Sequence, residues 1–142
     1  MHFYRFSFRV RYGETDQMGV VYHGNYPQYL EMGRVEWLRA LGISYKSMEE
    51  NGIRLPVISL QLKFIKSALY DDLITVVTKL KKTPTAKIEF DYEIYNEAKE
   101  LLAEANTILA FINMETNRPV RCPESVLERL TNTHYDLNAD RV

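Results

Sequence analysis

The sequence holds a single cysteine, Cys122, among 142 residues. One thiol closes no intrachain disulfide, and no Cys/His cluster has zinc-ligand spacing. Cys122, followed by Pro123, reads as a residue near a turn. Long apolar runs are missing too. The uncharged run 105–114 falls far short of the roughly 20 residues that a membrane-spanning helix needs, so no integral membrane segment is expected. The opening Met1-His2-Phe3-Tyr4-Arg5 leads into alternating residues and not into an apolar signal region, which makes the reducing cytoplasm the expected location. Excess charge of either sign is absent: 18 Lys and Arg stand against 19 Asp and Glu, a formal net charge of −1. That balance gives no global attraction to nucleic acid or to an anionic membrane.

Several motifs are lacking as well. Without Gly-x-Gly-x-x-Gly or Gly-x-x-x-x-Gly-Lys, neither dinucleotide nor nucleoside-triphosphate chemistry is expected. Without Gly-x-Ser-x-Gly, a serine nucleophile on an α/β-hydrolase elbow is disfavoured. His-Glu-x-x-His is absent, and the three histidines His2, His23 and His134 do not make a multi-histidine centre. No metal and no cofactor is expected. Chemistry must then come from carboxylates, one or two histidines and backbone dipoles.

The residues present suit an ordinary globular chain. The sequence is 46% apolar and 26% charged, long enough for one domain over 1–142 that buries a core without staples. All six glycines lie between Gly13 and Gly52, which concentrates special backbone geometry in the first third. Phe6, Phe8, Val10 and Tyr12 alternate with Ser7, Arg9 and Arg11, predicting a half-buried strand. Gly13-Glu14-Thr15-Asp16-Gln17-Met18-Gly19 is a loop by composition. From Asn25 to Leu41, Tyr26, Leu30, Gly33, Trp37 and Leu41 recur at three- and four-residue steps. This predicts a helix with one broad apolar face, Asn25 as N-cap, Pro27 in the first turn and Gly42 past the end. A short second helix is expected over 44–50.

The remainder reads as strands: Ile58, Leu60, Leu62 and Phe64; Ile74, Val76 and Leu80; Ile88, Phe90, Tyr92 and Ile94; and Ala103 to Phe111. Turns are expected at Asp71-Asp72, Thr83-Pro84-Thr85 and 96–99, with a break at 116–119 and helical turns over 124–130. One strand, one long helix and about four further strands in short succession favour antiparallel pairing. The simplest packing is α+β, an antiparallel sheet of about five strands wrapped around the long helix. One sheet face or edge is then left for dimerisation.

The segment from Tyr12 to Arg39 carries the chemistry. A glycine-flanked carboxylate, Asp16, and a histidine, His23, both lie near a predicted helix start, where unpaired N–H groups and about half a positive charge can hold an oxyanion. Aspartate, with an ordinary pKa of about 3.9, is ionised at neutral pH and can act as nucleophile or base. That combination suits acyl transfer to water. Taken alone, an aspartate in such a loop more often serves as a turn or cap residue.

Asp16-x-x-Gly19-Val20-Val21-Tyr22-His23-x-Asn25-Tyr26, then Glu31-x-x-Arg34 and Trp37-Leu38-Arg39, resembles the signature of the 4-hydroxybenzoyl-CoA thioesterases and their short-chain acyl-CoA relatives associated with the Tol–Pal system. The resemblance implies a hotdog fold, a homodimer or homotetramer with active sites between subunits, and hydrolysis of acyl-CoA to free acid and CoA. It places the family's catalytic aspartate on Asp16, as nucleophile or general base. It places the helix-start position on His23, whose backbone N–H would polarise the thioester carbonyl. Tyr22, Asn25 and Tyr26 become expected pocket residues. The basic run that meets coenzyme A phosphates in some relatives is represented here by Lys81 and Lys82 before Thr83-Pro84-Thr85-Ala86. This thinner charge leaves a thioesterase acting on acyl carrier protein as one alternative, and because a fold does not fix a function a non-catalytic acyl-thioester binding module is another.

Overall fold

The structure is a computed structural model and describes residues 2–132, so His134 lies outside the described residues. Strand β1 (Phe3–Arg9) is followed by two single 3-10 turns, Tyr12–Glu14 and His23–Asn25, and by helix α1 (Tyr26–Ala40). Helix α2 (Tyr45–Glu50) precedes strands β2 (Ile53–Arg54), β3 (Val57–Phe64), β4 (Leu73–Leu80), β5 (Lys87–Tyr95), β6 (Leu101–Ala110) and β7 (Ile112–Asn113). Helix α3 (Glu124–Asn132) closes the described chain. Five strands form one sheet in the order β1-β4-β5-β6-β3, with β2 and β7 paired separately, and all pairings are antiparallel. A long helix held in the concavity of such a sheet is the hotdog arrangement expected from the sequence.

Alternation on the central strands sets the core. Ile74 and Val76 of β4, Ile88, Phe90, Tyr92 and Ile94 of β5, and Leu109 of β6 are buried beneath Tyr29, Leu30, Trp37 and Leu38 of α1. Each large side chain buried in this way contributes about 1.5–3 kcal/mol. Trp37 meets Phe90 edge-on at 5.0 Å. The helix backbone comes very close to the sheet at Gly33. A Cβ there would stand 2.5 Å from Thr78 Oγ1 and 2.7 Å from Val76 Cγ1, so only a residue without a side chain fits. No helix among the described residues is long and apolar enough to cross a membrane.

Two local expectations need correction. Tyr12 is not on the first strand: β1 ends at Arg9 and Tyr12 is 77% exposed. The carboxylate of Glu14 accepts from the Arg11 backbone N–H at 2.8 Å and pulls the chain into a turn. Asn25 stands at the N-cap position as expected, but its side chain makes no capping bond to the helix. It already has helical backbone angles because a 3-10 turn precedes the helix, and its Nδ2 donates to the Glu14 carbonyl at 2.9 Å. Strand β3 alternates as read; it is an edge strand on which Leu62 packs against the core while Val57, Ile58, Leu60 and Phe64 remain exposed.

Candidate active site

The loop after β1 closes on itself like a small hairpin. Thr15 bridges Val21, the Asp16 N–H donates to the Val20 carbonyl at 2.8 Å, and the Gly19 N–H returns to the Asp16 carbonyl at 3.0 Å. Gly19 has φ +79°, a conformation that glycine adopts without strain. Asp16 Oδ1 accepts from the Met18 N–H at 2.8 Å, so one carboxylate oxygen does serve the turn. Oδ2 has no protein partner among the described residues. The hairpin is stitched to the segment joining β3 and β4 through a Val20–Leu69 bridge and a bond from the Val21 N–H to the Ala68 carbonyl at 2.8 Å.

The chain then turns into the helix. The Asn25 N–H donates to the Tyr22 carbonyl at 2.9 Å and the Tyr26 N–H to the His23 carbonyl. The amides of His23 and Gly24 are the ones left over, with no acceptor among the described residues, as geometry requires at a helix start. A cavity of about 260 Å³ lies between the hairpin and the helix start, lined by Asp16, Met18, His23 and Tyr26 together with Phe64, Lys66 and their neighbours. Tyr26 is buried and meets Phe64 edge-on at 5.0 Å. The His23 ring lies 4.5 Å from that of Tyr22 and 6.2 Å from that of Phe64.

Beneath the loop sits Glu14, a buried carboxylate. Its oxygens accept from the Arg11 N–H, from the Arg11 guanidinium at 3.2 and 3.0 Å, and from the Tyr29 hydroxyl at 3.0 Å. Burial alone would raise its pKa, but these hydrogen bonds and the Arg11 charge outweigh it and hold the carboxyl below its ordinary value. Tyr29 is pushed strongly upward by burial and by the Glu14 charge beside it.

Of the residues singled out from sequence, Asp16, His23 and Tyr26 line one cavity. Tyr22 is 49% exposed beside it, and Asn25 faces the loop's base through Glu14. Lys81 and Lys82 are not brought to this cavity. They follow Leu80, the far end of β4, about 25 Å along that strand from its start near the loop, and Lys81 pairs with Glu89 at 3.5 Å. The cation that lines the cavity is instead Lys66, which pairs with Glu100. Lys66, Phe64 and Met18 had no local signal, because strand-end and loop positions become neighbours only through the fold. Glu14 could have been noticed as a glutamate three residues after Arg11 in a glycine-flanked turn. Among the described residues no group of acidic, histidine or cysteine side chains is arranged to hold a metal ion.

Comparison with known proteins gives the family and the fold. The thioesterase-like superfamily profile matches residues 10–130. YneP of Bacillus subtilis is 35% identical over 121 residues, 85% of this chain and 88% of YneP. The acyl-CoA thioesterase YbgC of Haemophilus influenzae is 31% identical over 124 residues, 87% of this chain and 90% of YbgC. Among solved structures, the DHNA-CoA thioesterase of Staphylococcus aureus superposes with a TM-score of 0.87 at 35% identity, covering 92% of this chain and 90% of that one. With most of its length matched in sequence and in fold, the chain belongs to the thioesterase-like superfamily.

Proposed function

We propose that this thioester hydrolase cleaves acyl-CoA to free acid and CoA in the cytoplasm, with Asp16 acting on the thioester carbon. The observation that carries the reading is the shared cavity: Asp16, with a carboxylate oxygen that has no partner among the described residues, and His23, at the helix start, line the same space. The carbonyl oxygen would sit against the His23 and Gly24 amides, which strengthen as negative charge develops on it. Each such donor supplies about 3–4 kcal/mol of transition-state stabilisation in comparable sites. Asp16 either adds to the carbon, expelling the thiolate and leaving a mixed anhydride for water to open, or takes a proton from water as it attacks. Both routes consume one water and give acid and thiol. Tyr22, Tyr26 and Phe64 supply apolar and aromatic walls for the acyl group.

The exposed apolar residues of β3 support a homodimer formed across that edge, as a simple dimer or half of a tetramer. Phe64 is 50% exposed and Ile65 47% exposed, and both line the cavity, so a second copy seated there would complete its wall. Lys66 is the cation best placed for an anionic group of the carrier, whereas Lys81 and Lys82 would need a second subunit to reach it.

The test is thiol release across a panel of acyl-CoAs from short aliphatic to aroyl, with the best acyl group repeated on acyl carrier protein. Asp16→Asn should lower kcat at least about a hundredfold on the best substrate. An Asn variant with near-normal turnover would end this mechanism. A wild-type chain that releases no thiol from any thioester would end the hydrolase reading.

A further inference from the structure

We propose that Glu14 is a positioning residue that fixes the Asp16 hairpin against α1 at two separate points, an inference that rests on the reading of Asp16 above. Its carboxylate reaches the body of the helix, accepting from the hydroxyl of the fully buried Tyr29 at 3.0 Å. Its carbonyl reaches the helix start, accepting from the Tyr22 N–H at 2.9 Å and from Asn25 Nδ2 at 2.9 Å. Two attachments to one rigid helix fix direction as well as distance. Glu14 is two residues from Asp16, and the intervening backbone is locked by the Thr15–Val21 bridge and the Asp16 N–H to Val20 bond. A displacement of Glu14 therefore passes into the angle at which Asp16 faces the cavity that it shares with His23.

The choice of a carboxylate argues for position over bulk stability. Among the described residues Glu14 is the one buried acidic side chain. Burying a carboxylate is costly unless all its acceptor sites are filled, and apolar packing would stabilise the loop at least as well. All four groups facing it are donors: the Arg11 N–H, Nε and Nη, and the Tyr29 hydroxyl. An amide in its place puts at least one N–H against a donor whichever way it turns.

Glu14→Gln and, separately, Tyr29→Phe are compared with the full-length wild-type chain on the acyl-CoA it turns over fastest. Binding of the matching thioether, which cannot be hydrolysed, is measured alongside. The expected result is a kcat lowered at least tenfold in Glu14→Gln and several-fold in Tyr29→Phe, with KM and thioether affinity within about twofold of wild type, the signature of lost reaction geometry without lost binding. If Glu14→Gln does not fold, Tyr29→Phe carries the test, since it keeps the ring and the other three bonds. A folded variant with wild-type kcat and a lowered melting temperature overturns the proposal by showing a purely structural role; so does a loss confined to KM. Asp16→Asn is run in parallel. If it is inactive while the Glu14 and Tyr29 variants keep wild-type kcat, only the positioning role falls; if Asp16→Asn is itself normal, the reading of Asp16 falls and the positioning role falls with it.

Discussion

Gly33→Ala tests how closely the long helix approaches the sheet. The added Cβ would stand 2.5 Å from Thr78 Oγ1 and 2.7 Å from Val76 Cγ1, against about 3.5–4.0 Å for an unstrained contact. Neither neighbour can yield cheaply. Both are fully buried, and both are β-branched, with stiff χ1 angles. The helix must therefore rise by about 1 Å or both side chains must leave their rotamers, at a cost of about 3 kcal/mol, the upper end for overpacking. Alanine recovers about 1 kcal/mol of helix propensity over glycine. The net loss of about 2 kcal/mol corresponds to a fall in melting temperature of about 6–8 °C for a chain of this size, measurable by calorimetry or by near-UV circular dichroism. Gly13→Ala is the control, because a Cβ there meets nothing within 4 Å; it should shift the transition by no more than about 1–2 °C. A Gly33→Ala variant as stable as wild type would refute the close approach. A displaced α1 also carries Tyr29 away from Glu14, so thioester turnover should fall with stability.

Three other outcomes follow from the same structure. Thr78 Oγ1 is buried without a hydrogen-bond partner among the described residues, so Thr78→Val should leave stability unchanged or raise it by up to about 1 kcal/mol; a clear loss by urea titration would reveal a hidden partner. The Glu14 carboxyl is held below its ordinary value of 4.5, so the unfolded chain takes up this proton first as pH falls. The stability it confers is complete above about pH 4.5, declines below it and is gone once pH passes the folded pKa. Acid unfolding of Glu14→Gln should consequently be shallower than that of wild type below pH 4.5, and parallel curves would count against the hydrogen-bonded carboxylate. Leu60→Lys, on the exposed edge strand, should shift the assembly towards monomer in light scattering and lower turnover with it. An unchanged mass would place the subunit contact elsewhere.

The sequence by itself determined the elements whose cause is local. Strict alternation in β5, the looser alternation of β4, and the three-to-four spacing from Tyr26 to Leu41 are periodicities that the backbone geometry imposes, and these segments form where that reasoning puts them. The motif from Asp16 to Trp37 was legible because its loop, helix start and helix body are contiguous in the chain. Tertiary structure decided everything that depends on which element covers which. Alternation in β3 shows that one face is apolar but not how much of it the helix covers, and at the sheet edge Leu62 packs against the core while Ile58, Leu60 and Phe64 stay largely exposed. The strand order β1-β4-β5-β6-β3 brings Phe64 and Lys66 beside Asp16 across some fifty residues of chain, a proximity that no local pattern encodes. Glu14 read as an ordinary loop residue. Arg11 supplies three of the donors to its carboxylate from nearby in the chain, but only the arrival of Tyr29 from the helix adds the fourth, and only the packing of the loop against the helix makes the group buried, because burial is set by neighbours and not by the residue that is buried.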